Sequence, residues 1–345
     1  ENQKEISKIR LASKVNDIVA QTEVAYWELI SAIEIMKVRQ RSLELADELL
    51  RKNRIQVDVG VLAPVEVLAA EAVVAARKEG IITARVAIEA AEDRLRRTMN
   101  PKEYKDMWNL KIEPTDQPLF VEQRASVDEA LQKAFSRRYD YRAAKIELDS
   151  REIRVKVAKN GLLPRVDLTG GLGLNGLSGE TTALGFTRNS GNRSPLDGNY
   201  ADSLHELLSG DFYSWRAGFS VEFPLGNVSQ RSEYTKRRLE EEQARTGFHN
   251  LELTIEEQVR QAVRKLQGDM ERVKATRVAT ELAKQRLEAE ERKLEVGIST
   301  SFEVLQLQQD LTAAENNAVR ALIDYNESQV ELQRATATLL ENRKI

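Results

Sequence analysis

The side chains of this protein best suited to chemistry are its carboxylates, and no spacing organises them into a catalytic set. There are 55 Asp and Glu residues, so close carboxylate pairs arise by chance. The two histidines, His205 and His249, lie far apart, and neither has a metal-like partner nearby in the sequence. Each reads as a solvated or capping residue. Cysteine is absent, which removes disulfides and thiolate metal sites. The stretch GGLGLNGLSG (170–179) lacks the lysine and the following helix that a phosphate-binding loop needs. No catalytic residue, metal or cofactor is therefore expected. What the spacing does offer is a repeated pairing of glycine with glutamate. VGVLAPVEVLA (59–69) returns as VGISTSFEVLQ (296–306) at an offset of 237 residues, with Val59/Val296, Gly60/Gly297, Glu66/Glu303, Val67/Val304 and Leu68/Leu305 identical. Five identities in one ungapped register indicate an internal duplication.

Long helices must position that repeat. From Val15 to Val57, alternating steps of three and four residues land on ten apolar side chains out of thirteen, the period of a coiled-coil seam. Adding 237 gives a weaker seam in the same register, from Glu252 through Ile255, Val259, Ala262 and Leu266 to Leu294. Many seam positions are small, which permits close helix approach. Gly60 and Gly297 should end their helices, because glycine enters the left-handed region cheaply. Pro64 suits a first helical turn, and Ser299, Thr300 and Ser301 are candidate N-caps. Each copy of the motif thus reads as the tip of a helical hairpin. The return helices are expected at about Pro64 to Met99 and Phe302 to Leu340, both rich in alanine. A helix from about Val228 to Gly297 would span about 100 Å, which only an elongated bundle or tube accommodates.

Composition narrows the class further. The chain has 345 residues, 31% charged and 41% hydrophobic, with a net charge of −3. That charge, without a concentrated basic patch, gives no argument for nucleic acid. No run of 18 apolar residues exists, which excludes a transmembrane helix but not a transmembrane barrel. The opening ENQKEISKIRLASKV is already helical in character and shows no signal-peptide pattern, so the start is expected to lie inside an element.

Between the helical arms the period changes to two. LPRVDLTGGLGLNG sets Val166, Leu168, Gly170, Leu172 and Leu174 against Asp167, Thr169, Gly171, Gly173 and Asn175. FYSWRAGFSVEFPL sets Tyr213, Trp215, Ala217, Phe219, Val221 and Phe223 against Ser214, Arg216, Gly218, Ser220 and Glu222. The second is about eleven residues long, enough to cross a bilayer at a tilt, with aromatics near both ends. A soluble hairpin with one buried face fits the alternation equally well. Two strands alone are marginal in water, however, which favours the membrane reading. Residues 176–212 are rich in Gly, Ser, Asn and Asp and read as an external loop, in which YADSLHELLSG suits a short helix.

Hairpin tips with Val-Gly, a strand opening with LLPRVDL, and WRAGFSVEFPLGNVSQRSEY (215–234) leading into a long charged helix resemble the TolC-like outer-membrane efflux channel family. RRYDYRAAKIELDSREIRVKVAKNGLLP (137–164) adds to the resemblance, which covers nearly the whole chain. It implies a mainly α fold, an elongated antiparallel coiled-coil barrel with a transmembrane β-barrel section, assembled as a homotrimer. Residues 1–100 would be a first periplasmic hairpin with its tip near 59–64, and 101–139 an equatorial region. Residues 140–164 would be an upper periplasmic helix, 165–224 the transmembrane hairpin with its extracellular loop, and 225–345 the second periplasmic hairpin with its tip near 296–301. The family is not enzymatic. It conducts exported compounds across the outer membrane of Gram-negative bacteria, working with a periplasmic adaptor and an inner-membrane transporter. A soluble coiled-coil scaffold, or an adaptor-like interaction protein, is the rival reading.

One departure is plain: the family has two strand hairpins per protomer and this chain shows one. Phe223 minus 237 falls about 14 residues before Glu1, so the partner hairpin is expected upstream. The resemblance further implies that Val59, Gly60, Val61, Val296, Gly297 and Ile298 contact the adaptor. It places Glu303, and more weakly Glu66, at the closed periplasmic entrance; Gln306 stands where a second acid is expected. It also turns Tyr213, Trp215, Phe219, Val221 and Phe223 toward lipid, and Ser214, Arg216, Ser220 and Glu222 toward the lumen.

Overall fold

The computed structural model describes residues 2–99, 108, 110–179, 198–223 and 225–344. Parts of the expected equatorial region (101–107 and 109) and of the loop (180–197) lie outside the described residues. The elements in chain order are α1 (Asn2–Asp58), α2 (Pro64–Met99), α3 (Val127–Arg137), α4 (Tyr139–Asn160), β1 (Arg165–Leu174), α5 (Tyr200–Ser209), β2 (Tyr213–Glu222), α6 (Val228–Glu295), α7 (Ser301–Ala335) and α8 (Leu339–Arg343). They fall into two compact units, one of residues 1–149 with 244–345 and one of residues 150–243.

In the first unit, α1 and α7 contain neither glycine nor proline, so nothing in their interiors interrupts the hydrogen-bond ladder. The sequence seams are the packing seams. Every position of the second, from Glu252 to Leu294, is buried or half-buried. In the first, Ile18 alone is exposed, at 42%. An α-helix drifts by about 20° per heptad against a strict 3.5-residue seam, so positions toward the start of α1 rotate outward. Ile6, Ile9, Asn16 and Ala20 take over the buried face there.

Near the tips the core joins Ala46 and Leu50 of α1, Ala70 and Val74 of α2, Leu287 of α6, and Val304 and Leu311 of α7. Further along, Leu266, Met270 and Val273 pack on Ala321 and the fully buried Tyr325. The extended segment 110–126 clamps this region. Phe120 packs on Tyr325 with ring centroids 5.2 Å apart, and Arg277 sits over the Phe120 ring at 5.0 Å. Lys274 pairs with Glu122 at 2.9 Å. The helix expected to reach Leu340 stops at Ala335: Thr336 Oγ1 donates to the Leu332 carbonyl at 2.8 Å, and Ala337 adopts a left-handed φ of 53° before α8 begins.

The second unit holds the sheet. β1 and β2 pair antiparallel, from Arg165↔Glu222 to Leu174↔Tyr213. Asn175 N–H adds a bond to the Phe212 carbonyl at 2.8 Å beyond the ladder. At the other end Gly226 and Asn227 take positive φ, and Asn227 Nδ2 donates to the Leu162 carbonyl at 3.1 Å. Arg237 of α6 holds Glu233 and Glu240 at 2.7 and 2.8 Å. α5 opens with a capping box, Asn199 accepting from Ala201 and Asp202 N–H while the Asp202 side chain accepts from Asn199 N–H. Among the described residues this sheet has two strands, so they form no closed barrel. No described helix is long and apolar enough to cross a membrane.

Candidate functional site

The two tips turn at their glycines in the same way. Gly60 has φ 78° and Gly297 φ 79°. Gly60 N–H donates to the Val57 carbonyl and Val61 N–H to that of Gln56, at 2.9 and 2.8 Å. The equivalent bonds, Gly297 to Leu294 and Ile298 to Lys293, measure 3.0 and 2.9 Å. Both form a Schellman motif, in which a left-handed glycine lets the last carbonyls of a helix find donors. The donors and acceptors of these bonds match at the 237-residue offset, while Leu62 N–H adds a bond to the Gln56 carbonyl at the first tip. This geometry turns Val59, Val61, Val296 and Ile298 into solvent, each between 67% and 76% exposed. Val65, Leu68 and Phe302 extend the exposed apolar surface. Sequence reasoning missed these three, although Val65 and Phe302 stand at the same offset and so mark themselves as equivalents.

Beyond the glycines the tips differ. At the second, Thr300 caps α7 by accepting from Glu303 N–H at 3.3 Å. Ser299 Oγ lies 2.6 Å from a Glu290 carboxylate oxygen and 2.8 Å from one of Glu303. Its hydrogen bond, followed by that from Lys293, holds the Glu290 carboxyl below the usual range against the opposing effect of burial. Glu303 is exposed but tethered through this serine; Glu66 is half-buried on the first turn of α2. The tips meet at a buried hydrogen bond, Ser301 Oγ to Asn53 Oδ1 at 3.0 Å.

The strand register places every apolar side chain of one strand across from one of the other or a small residue. Val166 faces Val221, Leu168 faces Phe219, Gly170 faces Ala217, Leu172 faces Trp215 and Leu174 faces Tyr213. One face is therefore continuously apolar and wholly exposed in the chain, with Trp215 at 72% and Phe219 at 70%. Phe223 is also exposed but lies one residue beyond the ladder. Ser214, Arg216, Ser220 and Glu222 share the opposite face with Arg165, Asp167 and Thr169. On that face three pairs set a glycine against a side chain: Thr169↔Gly218, Gly171↔Arg216 and Gly173↔Ser214. A Cβ on Gly218 or Gly173 would come within 2.7 or 2.8 Å of the opposing hydroxyl, so these glycines make room for their neighbours.

The described residues contain no group of three or more His, Cys, Asp and Glu side chains that could hold a metal. His249 lies 3.4 Å from Glu252 on the surface of α6.

Comparison with known proteins agrees with this architecture. The sequence pattern of the family described as Outer membrane efflux protein matches residues 130–338, well over half of the chain. Outer membrane protein TolC of Escherichia coli (strain K12) is 23% identical over 330 residues, covering 94% of this chain and 62% of TolC. The chain thus spans about three-fifths of that relative's length. The outer-membrane channel OprN superposes with a TM-score of 0.76 at 21% identity, over 97% of this chain and 69% of OprN. The open state of the MtrE outer membrane channel of Neisseria gonorrhoeae gives 0.73 at 19% identity, over 97% and 69%. The CmeC outer membrane channel of Campylobacter jejuni gives 0.72 at 17% identity, over 99% and 68%. With its sequence matched across residues 130–338 and the same fold, this chain belongs to the outer membrane efflux protein family.

Proposed function

We propose that this chain is part of a passive exit duct of a tripartite efflux or type I secretion system. In this reading three copies assemble, their helices forming a periplasmic tunnel and their strand hairpins contributing to an outer-membrane barrel. A periplasmic adaptor docks on the tips, and an inner-membrane transporter supplies the energy.

The observation that carries the reading is the strand hairpin. A ten-residue ladder with one face entirely apolar, exposed and in phase on both strands is an aggregation hazard in water. Against hydrocarbon the same face is favourable, while Arg216 and Glu222 on the other face need a wet lumen. A soluble scaffold has no use for that division. The tips support adaptor contact: bent glycines flanked by exposed valine and isoleucine let another helical hairpin approach the backbone closely. Glu303, and secondarily Glu66, serve as the entrance carboxylates. In a three-fold assembly the three copies of Glu303 would converge on one axis and attract cations.

The test is to express the complete gene product and reconstitute it in planar bilayers. The duct reading expects a detergent-dependent trimer that conducts ions, and Glu303→Gln lowers its cation selectivity. Gly297→Arg should abolish export while leaving trimers intact. A soluble, non-conducting monomer or dimer would overturn the assignment.

A further inference from the structure

At Arg138 α3 gives way to α4, and α7 stops at Ala335. The two breaks share a cavity of about 310 Å³ with α1 and α6. Two ion-pair groups frame this space. Arg138 grips Asp140 with two bonds, at 2.9 and 2.7 Å, and donates to Gln258 Oε1 at 2.9 Å. Arg334 holds Asp17 Oδ1 at 2.9 Å and Glu331 at 3.2 Å. Each carboxylate on the wall therefore has a guanidinium, and three carboxylates against two guanidiniums leave the wall slightly negative.

The neutral side chains on this wall are the ones with unused capacity. Asn16 is 5% exposed, and neither polar atom of its side chain has a partner among the described residues. Its Oδ1 is sealed inside the protein, whereas Nδ2 keeps open surface, so two N–H donors meet the cavity. Reversing the amide would present an acceptor instead, and a hydroxyl satisfies either. The hydroxyls of Ser13 and Tyr139 line the same space without a partner among the described residues. Asp17 Oδ2 is not used by Arg334, so one acceptor stands among these donors. Buried polar groups left unpaired are costly, and these converge on one cavity.

We propose that this cavity binds a small uncharged polyol of the size of a single sugar ring. Its hydroxyls accept from Asn16 Nδ2, pair with those of Ser13 and Tyr139, and donate to Asp17 Oδ2. The C–H face of the ring rests on the Tyr139 aromatic ring. At roughly 30 Å³ per water-sized group the cavity has room for about ten non-hydrogen atoms, as many as a pentose has. An anion would meet three carboxylates, and a cation would find each of them already paired. A hydroxyl is donor and acceptor at once and fits the mixed wall. The assignment rests on this cavity alone and does not require the duct reading.

The probe is D-xylose, titrated into the complete gene product by saturation-transfer NMR in a detergent without a sugar headgroup. Saturable binding at one site per chain is expected. Tetrahydropyran, the same ring without hydroxyls, should give no saturable signal, and the anion D-xylonate should bind more weakly. Asn16→Leu removes the donor at similar volume and should weaken xylose binding about three- to tenfold, the loss of one neutral hydrogen bond. It also removes the sealed oxygen, so the unfolding midpoint should not fall, which separates lost recognition from lost fold. Tyr139→Phe keeps the ring and should weaken binding by a similar factor. Three results would each overturn the proposal. They are a signal no greater than that of tetrahydropyran, equal affinity for xylonate, and affinity unmoved by both substitutions, which would mean that the sugar binds elsewhere.

Discussion

Phe219→Arg and Ser220→Arg are neighbouring substitutions for which the hairpin predicts opposite outcomes. Phe219 lies across from Leu168 on the apolar face, and Ser220 across from Asp167 on the polar face. Both strands have ten residues, which puts these positions well inside the ladder. An arginine on the lipid face of a membrane barrel costs about 2–4 kcal/mol near the midplane. That is a loss of about 30- to 900-fold in folding equilibrium per protomer, and three protomers multiply it. An arginine at 220 instead meets the Asp167 carboxylate in a wet lumen and should change stability by less than about 1 kcal/mol. The assay is urea titration of the complete gene product folded into lipid vesicles, with each variant beside the parent. Equal costs at the two positions would refute a lipid-facing apolar side. A larger cost at 220 would mean that the polar side faces lipid.

Two further outcomes follow from the helical unit. A Cβ added at Gly60 or Gly297 meets nothing within 4 Å, so an alanine there pays only backbone strain. That strain, about 1–2 kcal/mol, is partly offset by a stiffer unfolded chain, so Gly60→Ala and Gly297→Ala should each destabilise by about 1 kcal/mol. Hydrogen exchange at the two tips measures both; markedly unequal costs would contradict the repeated geometry. Burial pushes Glu327 up to about 7, with Asp324 and Glu28 adding, Lys265 opposing and Asp269 adding less. A folded value above the unfolded one, about 4.3, means that stability is fully present below the unfolded value and lost as pH rises through the folded one. Discounted for partial exposure, Glu327→Gln should stabilise by about 1–2 kcal/mol at pH 8 and by almost nothing at pH 4. Denaturant unfolding at the two pH values checks this, and a gain independent of pH would be inconsistent with it.

Much of the site could be read from residue types because its determinants are local. Gly60 and Gly297 announce their turns, since few other residues take a φ near 80° without strain. The alternation around Trp215 and Phe219 sorts side chains onto two faces, because successive Cβ atoms in a strand must point opposite ways. The seam from Glu252 to Leu294 survives in the fold although Glu252, Asp269 and Glu290 are charged, because half-burial suffices for an amphipathic side chain at a helix contact.

What stayed hidden depends on partners distant in the chain. Leu68 and Leu305 are identical members of the repeat, yet Leu68 is 66% exposed and Leu305 is buried. Duplication copies the local turn but not the neighbour that covers it. Nothing in the sequence near Asn53 tells that Ser301 will meet it, or near Gln308 that it will donate to the Leu45 carbonyl. The stop of α7 at Ala335 was equally invisible, because Ala-Thr-Ala-Thr is a permissible helical run and the break arises where the chain turns into α8.

Residue types and spacing alone determined the extents of the long helices α2, α6 and, short of its end, α7, the two glycine tips, the 237-residue duplication and the two faces of the hairpin strands, but not the short helices α3 and α8. Each follows from backbone geometry acting over a few residues. Only the tertiary structure decided that Leu168 lies across from Phe219, making one continuous apolar face. It alone brought the two tips together at Asn53 and Ser301. Pairing across the chain is chosen by the total burial of many groups at once, and no local rule contains that sum.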